Sequence, residues 1–280
     1  MQRYSRLCGL AAAILAVSVS TVSCMKDDDA LSYNNQSMVS VIGTRYVSDM
    51  GSIFNVVENK SGQEPSQEAT RMLFITDVLN NTSNGKENEF DVRLTGFVEA
   101  VEKEVIIKGN QSTYSEELVG NDPVSYRNPF FSGGYINFFF TIEAKKGSQV
   151  EHYVNIVLDE ERSVPGHVFF ELKHNAKGET IAQYPSSDLV LKEGLMSCYI
   201  RDILLNYQIA GQSKVDVTFE SQWYEGDKPS AEASIVTKTI KGPFDMNQYY
   251  HNHTVRHLSS TRSCEFWTPG LYNINISSRF

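Results

Sequence analysis

Positive charge is scarce in this chain: 25 of its 280 residues are Lys or Arg against 34 Asp or Glu, a net charge of −9. That balance offers no basic stripe for a phosphate backbone and no electrostatic footprint for an anionic bilayer, which excludes nucleic acid as a partner. The signatures of common catalytic folds are missing as well. There is no G-x-S-x-G elbow, P-loop, dinucleotide fingerprint or calcium loop. No internal repeat of about 20 to 50 residues points to a solenoid or propeller, and no segment carries the apolar period of a convincing amphipathic helix. Cysteine is rare, four in the whole chain, and none lies in a nucleophile motif. These absences lead to the expectation of a protein that is not an enzyme, needs no cofactor and acts by binding.

The N-terminus carries the clearest signal. Arg3 and Arg6 give a positive start, and Leu7 to Val22 are apolar or small, with no further charge until Lys26. This is the layout of an export signal, too short and too serine-rich for a membrane span. Val22-Ser23-Cys24 resembles a bacterial lipobox, in which the Cys24 thiol is acylated and becomes the first residue of the mature protein. Two or more acyl chains hold a bilayer firmly where one binds marginally, so a multiply acylated Cys24 is a durable anchor. Lys26, Asp27, Asp28 and Asp29 resemble the lysine-plus-acid surface-export signal that follows the acylated cysteine in lipoproteins of one large group of Gram-negative anaerobes. The expected location is the outer membrane, lipid-anchored and facing the cell exterior. Removal of residues 1–23 takes away Arg3 and Arg6, so 23 basic residues face 34 acidic ones and the net charge becomes −11.

Beyond residue 40 almost every periodic segment has the period of a strand. SIFNVVE (52–58), RMLFITDV (71–78), DVRLTGFVE (91–99) and EVIIK (104–108) are rich in β-branched and aromatic residues and are separated by turn residues such as Asn84-Gly85. So many short strands in so short a stretch predict a small closed or nearly closed barrel. Residues 115–129, polar and interrupted by Pro123, read as a linker. Thereafter GGYINFFFTIEAKKGS, VEHYVNIVLDEER, HVFFELKHNAKGE, IRDILLNYQIAGQ, SKVDVTFESQWYEGD, SIVTKTIKG and GLYNINISS follow at the spacing of a two-sheet sandwich. Asn175 to Gly178 reads as a hairpin turn. The expected organisation is all-β: signal peptide 1–23, lipidated cysteine and acidic tether 24–40, barrel 41–114, linker 115–129 and sandwich 130–280.

The lipobox cysteine, the small β-rich first domain, and then SGGYINFFFTIEA, EHYVNIVLDEER and FFELKHNAKGE resemble the NigD-like lipoproteins. The likeness is clearest from Phe131 to Gly178, while residues 45–108 agree in spacing more than in wording. The resemblance implies an N-terminal OB-type barrel followed by a C-terminal β-sandwich. It also implies a bacteriocin-associated, immunity-like or accessory role, without catalytic residues to carry over. An OB-type barrel does not by itself imply nucleic-acid binding, since fold does not fix function.

Several side-chain groups are candidate sites. With Cys8 in the signal and Cys24 acylated, Cys198 and Cys264 remain; they form one disulfide, worth roughly 3–5 kcal/mol in the chain-entropy model, or stay as buried thiols. His251, His253 and His257 are the weak metal candidates, since residues 251 and 253 share one face of a strand, and on them rests a metal-dependent hydrolase as the least favoured alternative. Asp159, Glu160 and Glu161 with Arg162 read as a solvated hairpin end rather than an acid/base pair, because consecutive acids on a strand point in different directions. Trp223-Tyr224 beside Gly226 is the candidate ligand platform, and on it rests the alternative of a glycan-binding accessory lipoprotein. For the interaction reading, the acidic surface provides steering toward a basic partner protein.

Overall fold

In the computed structural model the described residues are 35–80, 88–109, 114–227, 229–230 and 232–246. They build two lobes of almost pure β-structure. The first lobe comprises β1 (Asn35–Ile42), β2 (Arg45–Ser48), β3 (Ile53–Asn59), β4 (Arg71–Asn80) and β5 (Glu89–Lys103). Their pairings run in a ring, β1–β2–β3–β5–β4–β1, antiparallel except for the parallel β3–β5 contact. This is the five-stranded Greek-key ring of an OB-type barrel. Alternate residues of each strand point inward, and Val39, Phe54, Met72, Phe74, Val92 and Leu94 fill the interior.

The second lobe is a sandwich. One sheet contains β7 (Val124–Ser132), β8 (Tyr135–Lys145) and β11 (Leu189–Tyr199), and continues without a break into β5 of the barrel. The other contains β6 (Ile106–Ile107), β9 (Tyr153–Leu158), β10 (His167–Asn175), β12 (Lys214–Tyr224) and β13 (Ile235–Asp245). Between them lie Ile136, Phe138, Phe140 and Ile142 from one face and Ile156, Phe170, Leu172, Val217 and Phe219 from the other. Each such aromatic or aliphatic side chain contributes about 1.5–3 kcal/mol by leaving water, so this layer dominates the stability of the chain.

Five expectations change on contact with the structure. Residues 115–129 are no free linker. Glu116–Val119 form a short helix, α1, capped by Ser115, and Val124–Ser132 form β7; Val119 and Val124 are both fully buried, which recruits the segment into the core. The tether ends before residue 40, because β1 already begins at Asn35. The EVIIK segment supplies β6, which pairs with β9 and so belongs to the sandwich rather than the barrel. Finally, Arg201–Tyr207 form a helix, α2: Ile200 and Leu204, spaced four apart, are fully buried on one face, with Ile203 and Tyr207 beside them. Asn175 to Gly178 also does not close a hairpin. Gly178 adopts φ +84°, as a turn requires, but β10 pairs in parallel with β12 instead of with the next strand.

Candidate functional site

One buried side chain ties the barrel to the sandwich. Arg71 opens β4, ahead of the apolar run Met72-Leu73-Phe74, and is only 1% exposed. A guanidinium so far from water needs a full set of acceptors. Asp49, from the β2–β3 turn, takes its two terminal nitrogens at 3.0 and 2.9 Å. Ser40 of β1 accepts at 2.8 Å and Ser197 of β11 at 2.7 Å, and the Tyr135 ring of β8 lies 3.6 Å from the guanidinium carbon. The sandwich extends the network: Ser197 donates to Asn137 Oδ1 at 2.7 Å, and Ser132 donates to Asp49. Burial alone lowers the Arg71 pKa, but the Asp49 carboxylate outweighs it and the net shift is upward. Gly133, in the two-residue β7–β8 turn, makes room for this contact, since a Cβ there would lie 2.6 Å from Asp49 Cγ. Beside it, Met38, Leu73, Ala100 and Leu195 close an apolar seam between the lobes.

Opposite this joint in character is an opening in the barrel wall. β2 pairs with β3 only through Tyr46–Phe54 and Val47–Ile53, yet β3 runs on to Asn59. From Asn55 to Asn59, β3 is therefore paired on its β5 side alone among the described residues. A cleft of about 270 Å³ occupies the gap, lined by Tyr46, Val56, Val57, Glu58, Asn59, Glu64, Pro65 and Leu94. Val57 sits at a register shift between Val56 and Glu58 and is 59% exposed. Glu58 is bound by Lys60 at 3.1 Å and Arg93 at 2.5 Å, whereas Glu64 receives the Asn59 side-chain amide at 3.1 Å. Burial and the Glu64 carboxylate push the Tyr46 phenol pKa up, which keeps it a hydrogen-bond donor. Chemically the cleft combines the apolar side chains of Val56, Val57, Pro65 and Leu94 with a phenol, an amide and two carboxylates, groups that a small recognition site uses.

A second polar cluster is closed to solvent. His174 Nδ1 lies 3.0 Å from the Pro123 carbonyl, which only accepts, so Nδ1 carries the proton and Nε2 faces His152 Nδ1 at 3.0 Å as acceptor. His152 Nε2 in turn lies 3.2 Å from Glu179. Burial, helped by His152, pushes the His174 pKa down to about 3. The cluster ties the α1 segment to the β8–β9 and β10–β11 connections, and its burial makes it a structural clasp.

The expected site residues fare unevenly. Trp223 and Tyr224 are 3% and 2% exposed, so they form no ligand platform. Tyr224 instead donates to the buried carboxyl of Glu143, whose pKa burial raises. The pair stands at the end of a strand whose outward side is covered, which alternation alone does not reveal. Cys198 is a free thiol, fully buried in the sandwich core, and burial drives its pKa upward. Cys24, Lys26, Asp27, Asp28, Asp29, His251, His253, His257 and Cys264 lie outside the described residues. Glu160 and Glu161 are exposed, as expected of a solvated turn. Asp159 is not: it is 2% exposed and accepts from Lys108 and Arg162 Nε, each at 3.0 Å. Burial opposes its ionisation, but these two cations prevail and hold its pKa below the ordinary value. No described helix is long and apolar enough to cross a membrane.

The joint and the cleft escaped the sequence reading because their members come from distant segments. Two local signals existed: an arginine heading an apolar strand, and the Val56-Val57 doublet that breaks the alternation of SIFNVVE.

Comparison with known proteins places the larger lobe. Residues 105–235 match the NigD-like C-terminal beta sandwich domain. Among solved structures, the chain resembles a NigD-like immunity protein from Bacteroides caccae ATCC 43185, with 20% identity and a TM-score of 0.50 over 75% of this chain and 96% of the other. It also resembles a lipoprotein candidate from Bacteroides fragilis NCTC 9343, with 15% identity and a TM-score of 0.51 over 74% and 96% of the two chains. A protein of unknown function from Bacteroides vulgatus ATCC 8482 aligns with 17% identity and a TM-score of 0.50 over 75% and 90%. At these identities the likeness is one of fold. No curated protein matches the chain.

Proposed function

For a chain that carries the NigD-like C-terminal beta sandwich domain over residues 105–235, we propose a lipid-anchored envelope protein that acts by binding a protein partner in an immunity-like role. The anchor is acylated Cys24, and the following Lys26 and Asp27 to Asp29 direct the protein to the outer face of the outer membrane. The observation that carries the binding reading is the pairing of a firmly seated barrel with an open wall: the Arg71 network holds the lobe in place, and the cleft beside β3 offers recognition groups. The family name and the fold shared with the Bacteroides caccae immunity protein support the role. An acidic chain of net charge −9 steers toward a basic partner.

Two measurements, one on intact cells and one on isolated membranes, test the anchoring and location. Protease shaving removes the wild type, while a variant with alanine at Lys26 and Asp27 to Asp29 stays protected; protection of both places the protein in the periplasm instead. Cys24→Ala releases the protein from membranes on salt washing, and retention of that variant refutes lipid anchoring.

A further inference from the structure

Resting on that reading of the protein as a binder of a protein partner, we infer that the gap beside β3 takes an extended segment of that partner. The segment adds as a strand along Asn55–Asn59 and seats a lysine or arginine side chain in the cleft next to Glu64.

Three features of the gap select this occupant. The first is the edge itself. Half of the backbone N–H and C=O groups of an extended strand face each side, and along Asn55–Asn59 only the β5 side is paired among the described residues. A free edge of that length is a template for another strand, and main-chain bonds formed there supply affinity while alternate side chains enter pockets.

The second is the volume. About 270 Å³ leaves room for one long side chain. The third is charge. Lys60 and Arg93 are already committed to Glu58, so Glu64 is the acid in the wall without an ion-pair partner among the described residues. Anionic guests meet two carboxylates and, among the described residues of the lining, no cation. A basic side chain, by contrast, lays its methylenes on Val56, Pro65 and Leu94 and brings its charge to Glu64, with the Tyr46 phenol beside it.

The test is site-specific photo-cross-linking in the cells that make the protein. A benzophenone amino acid replaces Val57, and controls carry it at Val164 and Ile235, exposed residues of the sandwich at 52% and 46%. Adducts are digested and the attached peptides sequenced. The expected result is a Val57 adduct on a partner peptide with Lys or Arg within about two residues of the attachment point, as strand alternation requires. Its yield falls roughly tenfold in Glu64→Lys, where attraction becomes repulsion, and persists in Glu64→Asp. An acidic partner peptide, a glycan or lipid adduct, or equal yields in wild type and Glu64→Lys overturns the inference. Protein adducts confined to Val164 or Ile235 also overturn it while leaving the binding reading intact. No protein adduct at any of the three positions removes the binding reading itself.

Discussion

The barrel and the sandwich are made from the same kind of alternating strand, yet they spend it differently. In the sandwich two sheets press Phe138, Phe140, Phe170 and Phe219 together, all 1% exposed or less, and the polar groups that enter, such as His174 and Glu143, are tied into closed networks. The barrel has only a small ring around Phe74 and leaves its wall incomplete beside β3. The two lobes meet through β5, which pairs on one edge with β3 as far as Leu94 and with β11 from Ala100 onward. The larger lobe thus supplies stability and the smaller one an adaptable edge, with Arg71 as the rivet between them. Recognition sites commonly arise this way, on the less completed part of a rigid scaffold.

Breaking the rivet gives the largest expected effect. Arg71→Met takes the guanidinium away from the buried Asp49 carboxylate, and costs about 3–5 kcal/mol, as removal of one partner from a buried pair usually does. Urea unfolding measures it, and one shared transition in the wild type that splits into two in the variant shows that Arg71 couples the lobes. Gly194→Ala is next, at about 1–3 kcal/mol by overpacking, because a Cβ on β11 there would lie 2.5 Å from Phe140 Cζ. This variant loosens the sandwich alone and leaves the barrel cleft competent for cross-linking.

Acid should distinguish the lobes further. His174 has a folded pKa of about 3 against about 6.5 in an unfolded chain. The unfolded state then binds more protons between those values, so stability falls as pH drops from about 6.5 toward 3. His174→Gln is less stable at pH 7 but shows a flatter decline over that window, read from urea midpoints at pH 7 and pH 5; an equal decline in both proteins excludes His174 as the acid-sensitive group. The smallest expected effect is that of Glu64→Gln, within about 0.5 kcal/mol in stability because the side chain is exposed. Its effect belongs to partner binding, which separates the recognition edge from the scaffold.

The fold class and most strands were legible because a half-buried strand advertises itself by alternation, as in the run from Ile136 to Ala144. What escaped were segments whose state depends on what lies above them. The α2 segment, Arg201 to Tyr207, passes for a strand until Ile200 and Leu204 are seen on one side of a turn of helix. Trp223 and Tyr224, adjacent on β12, ought to place one ring outward, and the chain covers that outward ring with the Glu143 carboxyl. Asp159 looked like one of three equivalent acids, and only its placement beneath Arg162 and Lys108 sets it apart.

By itself, the sequence determined the all-β class and the acidic balance, since each depends on composition or on spacing within a few residues. The tertiary structure decided the identity of the joint, the burial of the expected platform and the position of the open edge. Arg71 meets Ser197 across 126 residues, and the cleft exists because β2 is only four residues long while β3 runs for seven. Contacts between distant segments and differences in strand length appear only once the chain has closed on itself.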